Sequence, residues 1–120
     1  METMQGKKNI VLIGMPGAGK STVGVVLAKR LGYRFLDSDL VIQEQTKKLL
    51  HELITEHGVD GFLKIEEDIN AGLDCEQAVI ATGGSVIYGE KAMEHLREIG
   101  CVVYLKLSYK EIEDRLGDLT

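Results

Sequence analysis

The sequence predicts an α/β fold: a parallel sheet with helices on both faces, in three layers. Three observations predict it. The apolar runs "NIVLIG", "AVIAT" and "CVVYLKL" are continuous and rich in β-branched residues, as strands buried on both faces require. Stretches with helical spacing separate them, which suits the crossovers that join parallel strands. The first run leads into the glycine-rich "MPGAGK" and the second into Gly83-Gly84, so two strands end in backbone able to approach a ligand closely.

Taken in order, "NIVLIG" is the first strand. From Lys20 to Leu31, Val23, Val26, Leu27 and Leu31 form a helical stripe, and Gly32 stops it. "YRFLD" is a short second strand. Asp39 to about Gln45 and Leu49 to His57 read as two short helices, the second closed by His57-Gly58. Gly61 to about Leu73 is a further helix with Phe62, Ile65 and Ile69 on one face. "AVIAT" is the third strand. Glu90 to Ile99 is amphipathic through Met93, Leu96 and Ile99, and Gly100 ends it before the fourth strand, "CVVYLKL". Ser108 to Glu111 reads as a capping box opening a helix that carries Arg115.

The 120 residues correspond to one domain, 1–120. A formal net charge of −5 argues against a general nucleic-acid or anionic-membrane surface, and no partner protein is implied. No apolar run approaches the ~20 residues that span a bilayer. Neither metal nor redox spacing relates Cys75 to Cys101. With no export signal at the N-terminus they read as reduced thiols, and the expected compartment is the cytoplasm.

"GMPGAGKS" fits G-x-x-x-x-G-K-[ST] through Gly14, Gly19, Lys20 and Ser21, between a strand and a helix as the motif requires. Glycines let successive N–H groups converge on phosphate oxygens, and the helix start adds its positive dipole end. Lys20 brings a full charge to the β- and γ-phosphates, and the Ser21 hydroxyl suits Mg²⁺. The expected nucleotide contacts are Gly17, Ala18, Gly19, Lys20, Ser21 and Thr22. A plain glycine-rich turn is the competing explanation, and the strand–loop–helix context weighs against it.

In "FLDSD", Asp37 and Asp39 follow a short strand, at the sheet edge where open α/β folds bind ligands. Residues two apart in extended chain point the same way, so both carboxylates can address one site. One suits a Mg²⁺-bound water; the other can orient an acceptor hydroxyl or take its proton. The alternative is that the pair only caps the next helix. "ATGGS", Ala81 to Ser85, allows close ligand approach but is equally a tight turn. His51, His57 and His95 have no metal-type partner, and "KIEED" reads as a solvated helix face.

Together, "GMPGAGKST", "FLDSD", "GFLKIEED" and "ATGGS" followed by "CVVYLKLS" resemble the shikimate kinase family, P-loop kinases of the nucleoside-monophosphate-kinase class. The resemblance implies a P-loop NTPase fold and ATP-dependent, Mg²⁺-assisted phosphorylation of a small metabolite, shikimate first among them. It implies that Asp37, with Ser21, serves magnesium and that Lys20 and Asp39 are catalytic. Asp39, Gly83 and Gly84 would contact the acceptor, and Arg115 would lie against the adenine. Three positions depart from the family pattern, all on the acceptor side. Leu63 replaces the arginine that grips the shikimate carboxylate, Ser85 the third glycine of the turn, and Val59 a glutamate. The family continues beyond Arg115 into a lid and a last strand, so the chain is expected to be the N-terminal part of a longer domain. The alternatives are a paralogous kinase with another hydroxylated acceptor and a non-catalytic nucleotide-binding regulatory module. Neither N-K-x-D nor an acidic end to "AVIATGG" is present to favour a GTPase switch.

Overall fold

A computed structural model describes residues 9–14 and 19–105. The strands are β1 (Asn9–Gly14), β2 (Arg34–Asp37), β3 (Ala78–Ala81) and β4 (Gly100–Leu105). The described helices are α1 (Lys20–Leu31), α2 (Ser38–Thr46), α3 (Leu50–Ala71) and α4 (Glu90–Ile99), with a 3₁₀ turn over Val86–Tyr88. The four strands form one parallel sheet in the order β2-β3-β1-β4. The expected α/β architecture is therefore present.

Alternation along β1 explains the three layers. Leu12, with Val79 of β3, packs under Ala28, Val23 and Leu27 of α1. Val11 and Ile13, with Ala78 and Ile80, face the other way against Ala92, Met93 and Leu96 of α4. Both faces of the central strands are thus dry, which is why their sequences read as unbroken apolar runs. A satellite cluster of Ile42, Leu53 and Phe62 joins α2 to α3, with Leu63, Ile65 and Ile69 packed around it.

One expectation needs correction. In α1 the buried stripe is not Val23–Val26–Leu27–Leu31: Val26 and Leu31 are exposed, while Gly24 and Ala28 are buried. The helix lies close to the sheet through its small residues; a Cβ on Gly24 would fall 2.6 Å from the Phe35 ring. The two helices expected at Leu49–His57 and Gly61–Leu73 are both present as the halves of α3, which ends at Ala71. Gly58 still interrupts them, at φ 74° and ψ 174°, a conformation outside the helical region that glycine adopts without strain. The α3 start is held by Glu52, whose carboxylate accepts the Leu49 N–H at 2.9 Å.

Asn9 ties down the sheet end opposite the ligand edge. Its buried side chain donates to Cys75 O at 2.8 Å and Ile99 O at 2.9 Å, and accepts from Ala78 N at 3.0 Å. At the other end Asp37 pairs in register with Ala81, and Ala81 with Leu12. The C-terminal ends of β1, β2 and β3 consequently lie side by side at the same edge.

Candidate active site

At that edge Gly19 caps α1 in the left-handed region, at φ 83°. Lys20, the first helical residue, is 9% exposed and donates its ammonium to Gly14 O at 2.8 Å. Its charge is therefore held against the last carbonyl of β1. Burial lowers the Lys20 pKa from its ordinary value, and the Asp39 carboxylate opposes that shift. Ser21 and Thr22 follow on the exposed side. Of the other expected nucleotide contacts, Gly17, Ala18 and Arg115 lie outside the described residues, as does the Ser108–Glu111 capping box.

Asp37 both caps and reaches. Its Oδ1 accepts the Asp39 N–H at 2.9 Å, and its Oδ2 accepts the Ser21 hydroxyl at 3.4 Å. Strand alternation does not orient the pair as expected, because Asp39 already belongs to the first turn of α2. The helix cap brings them together instead. Ser21 and Asp37 provide adjacent oxygen donors beside a helix N-terminus, a donor set suited to Mg²⁺. The fit is one of chemistry and proximity.

Asp39 is pushed above the ordinary aspartate pKa, first by burial and then by the Asp37 charge, with Lys20 acting against both. Its Oδ1 lies 3.0 Å from where a Gly83 Cβ would be, and Glu66 Oε2 lies 2.7 Å from the same point. Gly83 is thus the gap through which two carboxylates converge. Gly84 follows, half-buried.

Glu66 is the residue that sequence reasoning missed. The "KIEED" segment is not wholly solvated, for Glu66 is 4% exposed. Its Oε1 accepts the Ser85 hydroxyl at 2.7 Å. Burial raises its pKa, the Ser85 bond opposes that rise, and the Asp39 charge adds to it. The available signal was spacing: Phe62, Glu66 and Asn70 recur every four residues and are all buried on α3. The neighbouring Glu67 accepts the Lys91 N–H at 3.0 Å at the start of α4.

Glu66 and Ser85 line a cavity of about 210 Å³ with Asp60, Leu63, Lys64, Glu67, Val86, Tyr88 and Gly89. Leu63 therefore faces the pocket. Lys64 is the one basic residue in that lining, and its ammonium lies 3.8 Å from Asp68. Among the described residues no cluster of three His, Cys, Asp or Glu could hold a metal. His51 and His57 are exposed, and His95 bonds to the Leu73 carbonyl. Cys75 and Cys101 are free thiols, and no described helix is long and apolar enough to cross a membrane.

A family model described as shikimate kinase matches residues 16–120. The chain is 41% identical over 110 residues to a shikimate kinase of Nostoc sp. (strain PCC 7120 / SAG 25.82 / UTEX 2576), covering 91% of this chain and 60% of that protein. It is 38% identical over 109 residues to a shikimate kinase of Rippkaea orientalis, covering 90% of this chain and 58% of the relative. The chain thus spans about 60% of the length of these curated relatives. Among solved structures, the shikimate kinase from Acinetobacter baumannii in complex with shikimate is similar at a TM-score of 0.78 and 38% identity. That match covers 87% of this chain and 59% of the other. A gluconokinase from Sinorhizobium meliloti 1021, 23% identical at a TM-score of 0.56, shares the fold.

Proposed function

This chain belongs to the shikimate kinase family, and we propose that it transfers the γ-phosphoryl group of ATP to a hydroxyl of a small metabolite. Shikimate, yielding shikimate 3-phosphate, is the first acceptor to test. One observation carries the reading: a buried lysine at a helix start, a Ser–Asp oxygen pair and a half-buried aspartate converge at one sheet edge.

The residues divide the work. Lys20 holds negative charge on the β- and γ-phosphates, where charge must be stabilised as the phosphoryl group moves. Ser21 and Asp37 would hold Mg²⁺, which supplies neutralisation of phosphate charge. Gly17 to Thr22 offer N–H groups to the phosphates, and Arg115 packs on the adenine. Asp39 accepts a hydrogen bond from the acceptor hydroxyl and takes its proton as the bond to phosphorus forms. Its raised proton affinity makes it a better base than an ordinary aspartate. Gly83 and Gly84 let the acceptor lie against backbone. The acidic chain is read as a cytoplasmic enzyme of small molecules, without a nucleic-acid or protein partner.

Leu63 favours a second reading beside the first, a paralogous kinase whose acceptor carries no carboxylate. It places an apolar side chain in the pocket, while the lining ammonium of Lys64 has Asp68 nearby. ADP release tests both readings in the full-length protein, with shikimate and a panel of uncharged hydroxylated metabolites. Lys20→Ala is expected to lower turnover by roughly two orders of magnitude or more with unchanged circular dichroism. Near-wild-type turnover in that variant would remove Lys20 from the mechanism. Nucleotide binding without acceptor-stimulated ADP release would leave only a regulatory nucleotide-binding module.

A further inference from the structure

Ser85 stands where the turn after β3 meets the pocket. Its hydroxyl donates to Glu66 Oε1 at 2.7 Å, and both residues line the same cavity. A carboxylate buried to this degree is costly unless donors satisfy it. Among the described residues, Ser85 is the only side chain that donates to Glu66. The tether occupies one carboxylate oxygen. The other, Oε2, is aimed at the space over Gly83 that Asp39 Oδ1 also borders.

We propose that Ser85 is a positioning residue that holds Glu66 Oε2 beside Asp39, so that the two carboxylates over Gly83 grip two adjacent hydroxyls of a polyol acceptor. The inference rests on the kinase reading above and specifies its acceptor class. Asp39 takes the hydroxyl that is phosphorylated, and Glu66 accepts from its neighbour. An untethered Glu66 has rotamers that face the open cavity instead, and the two-point grip is lost. Losing a hydrogen bond to a charged acceptor changes an equilibrium by about tenfold, and acceptor affinity is expected to fall on that scale. The charged groups around Glu66 are Asp39 on α2 and Asp60, Lys64 and Glu67 on α3. None of them donates a hydrogen bond that replaces the serine.

The test compares Ser85→Ala, Ser85→Thr and Glu66→Gln in the full-length enzyme by steady-state ADP release. Ser85 has φ −97° and ψ 4°, which alanine adopts without strain. Ser85→Ala is expected to raise the acceptor KM about tenfold while leaving the ATP KM within about twofold. Ser85→Thr, which keeps the hydroxyl, restores the acceptor KM. Glu66→Gln keeps the serine bond but turns the second oxygen into a donor, and it raises the acceptor KM as Ser85→Ala does. In parallel, the Glu66 carboxyl carbon followed by NMR titrates at higher pH in Ser85→Ala than in wild type. An acceptor KM indifferent to Ser85, or an equal rise in both KM values, overturns the inference while leaving the kinase reading intact. An unchanged Glu66 titration overturns it as well. A wild-type protein that turns over no hydroxylated acceptor ends the kinase reading, and the grip with it.

Discussion

The Asp37 carboxylate makes two contacts at once, accepting the Asp39 N–H at 2.9 Å and the Ser21 hydroxyl at 3.4 Å. A helix cap and a donor for a cation are usually competing explanations of one aspartate. Here one oxygen caps the helix and the other meets the Ser21 hydroxyl, and the cap also brings Asp39 alongside. Substitutions can separate the two roles. Asparagine remains a good N-cap, so Asp37→Asn should unfold within about 0.5 kcal/mol of wild type, whereas Asp37→Ala should lose about 0.5–2 kcal/mol. Both should raise the Mg²⁺ concentration for half-maximal ADP release. Urea unfolding with a Mg²⁺ titration checks this, and equal Mg²⁺ dependence in all three proteins would leave Asp37 a cap alone.

Gly83→Ala is expected to spare the fold and damage acceptor use. The added methyl would come within 2.7 Å of Glu66 Oε2 and 3.0 Å of Asp39 Oδ1. Both are ends of side chains, which move more readily than backbone, but moving them separates the two carboxylates. Acceptor kcat/KM should fall about tenfold or more, as expected when reacting groups are displaced by an ångström, with ATP affinity retained. Calorimetric nucleotide binding beside steady-state kinetics would read the two effects apart.

Burial and the Asp39 charge raise the Glu66 pKa, and the sign of the stability effect follows. A group whose folded pKa is raised stabilises the fold below its unfolded value and loses that contribution as pH rises through the folded value. Glu66→Gln should therefore be more stable than wild type at neutral pH. The gain should vanish near pH ~4, where an unfolded glutamate itself becomes protonated. Urea unfolding at the two pH values checks this; a variant less stable at neutral pH would mean that the lost ionic hydrogen bond outweighs the burial of charge.

Leu63→Arg should improve shikimate use. The position faces the pocket one turn from Glu66, close enough for an i, i+3 pair to hold a guanidinium. A charge-assisted carboxylate contact worth 2–5 kcal/mol implies a fall in the shikimate KM of about tenfold at least, with little change for ATP. Leu63 also packs beside Ile42, Leu53 and Phe62, so a modest loss of thermal stability is expected. A micromolar KM for shikimate in the wild type would show that another group already supplies the clamp.

By itself the sequence determined the parallel α/β sheet, the order of its elements and the helix start at Lys20. These are local or periodic signals: apolar runs set by two-sided burial, helix stops at Gly32 and Gly100, and a motif whose spacing is contiguous. Asp37 and Asp39 were legible as a pair, but not the way they meet, since a strand and a capped helix start place residues two apart differently. Glu66 was hidden because a charged residue on a polar stretch ordinarily faces water. Only the docking of α3 against the turn after β3 put its carboxylate against Ser85, 19 residues away. The same holds for Asn9, whose partners lie 66, 69 and 90 residues along the chain. Periodicity reports which face of an element is dry. Which polar side chain finds a partner on that face depends on contacts between distant segments, and these exist only once the chain has packed.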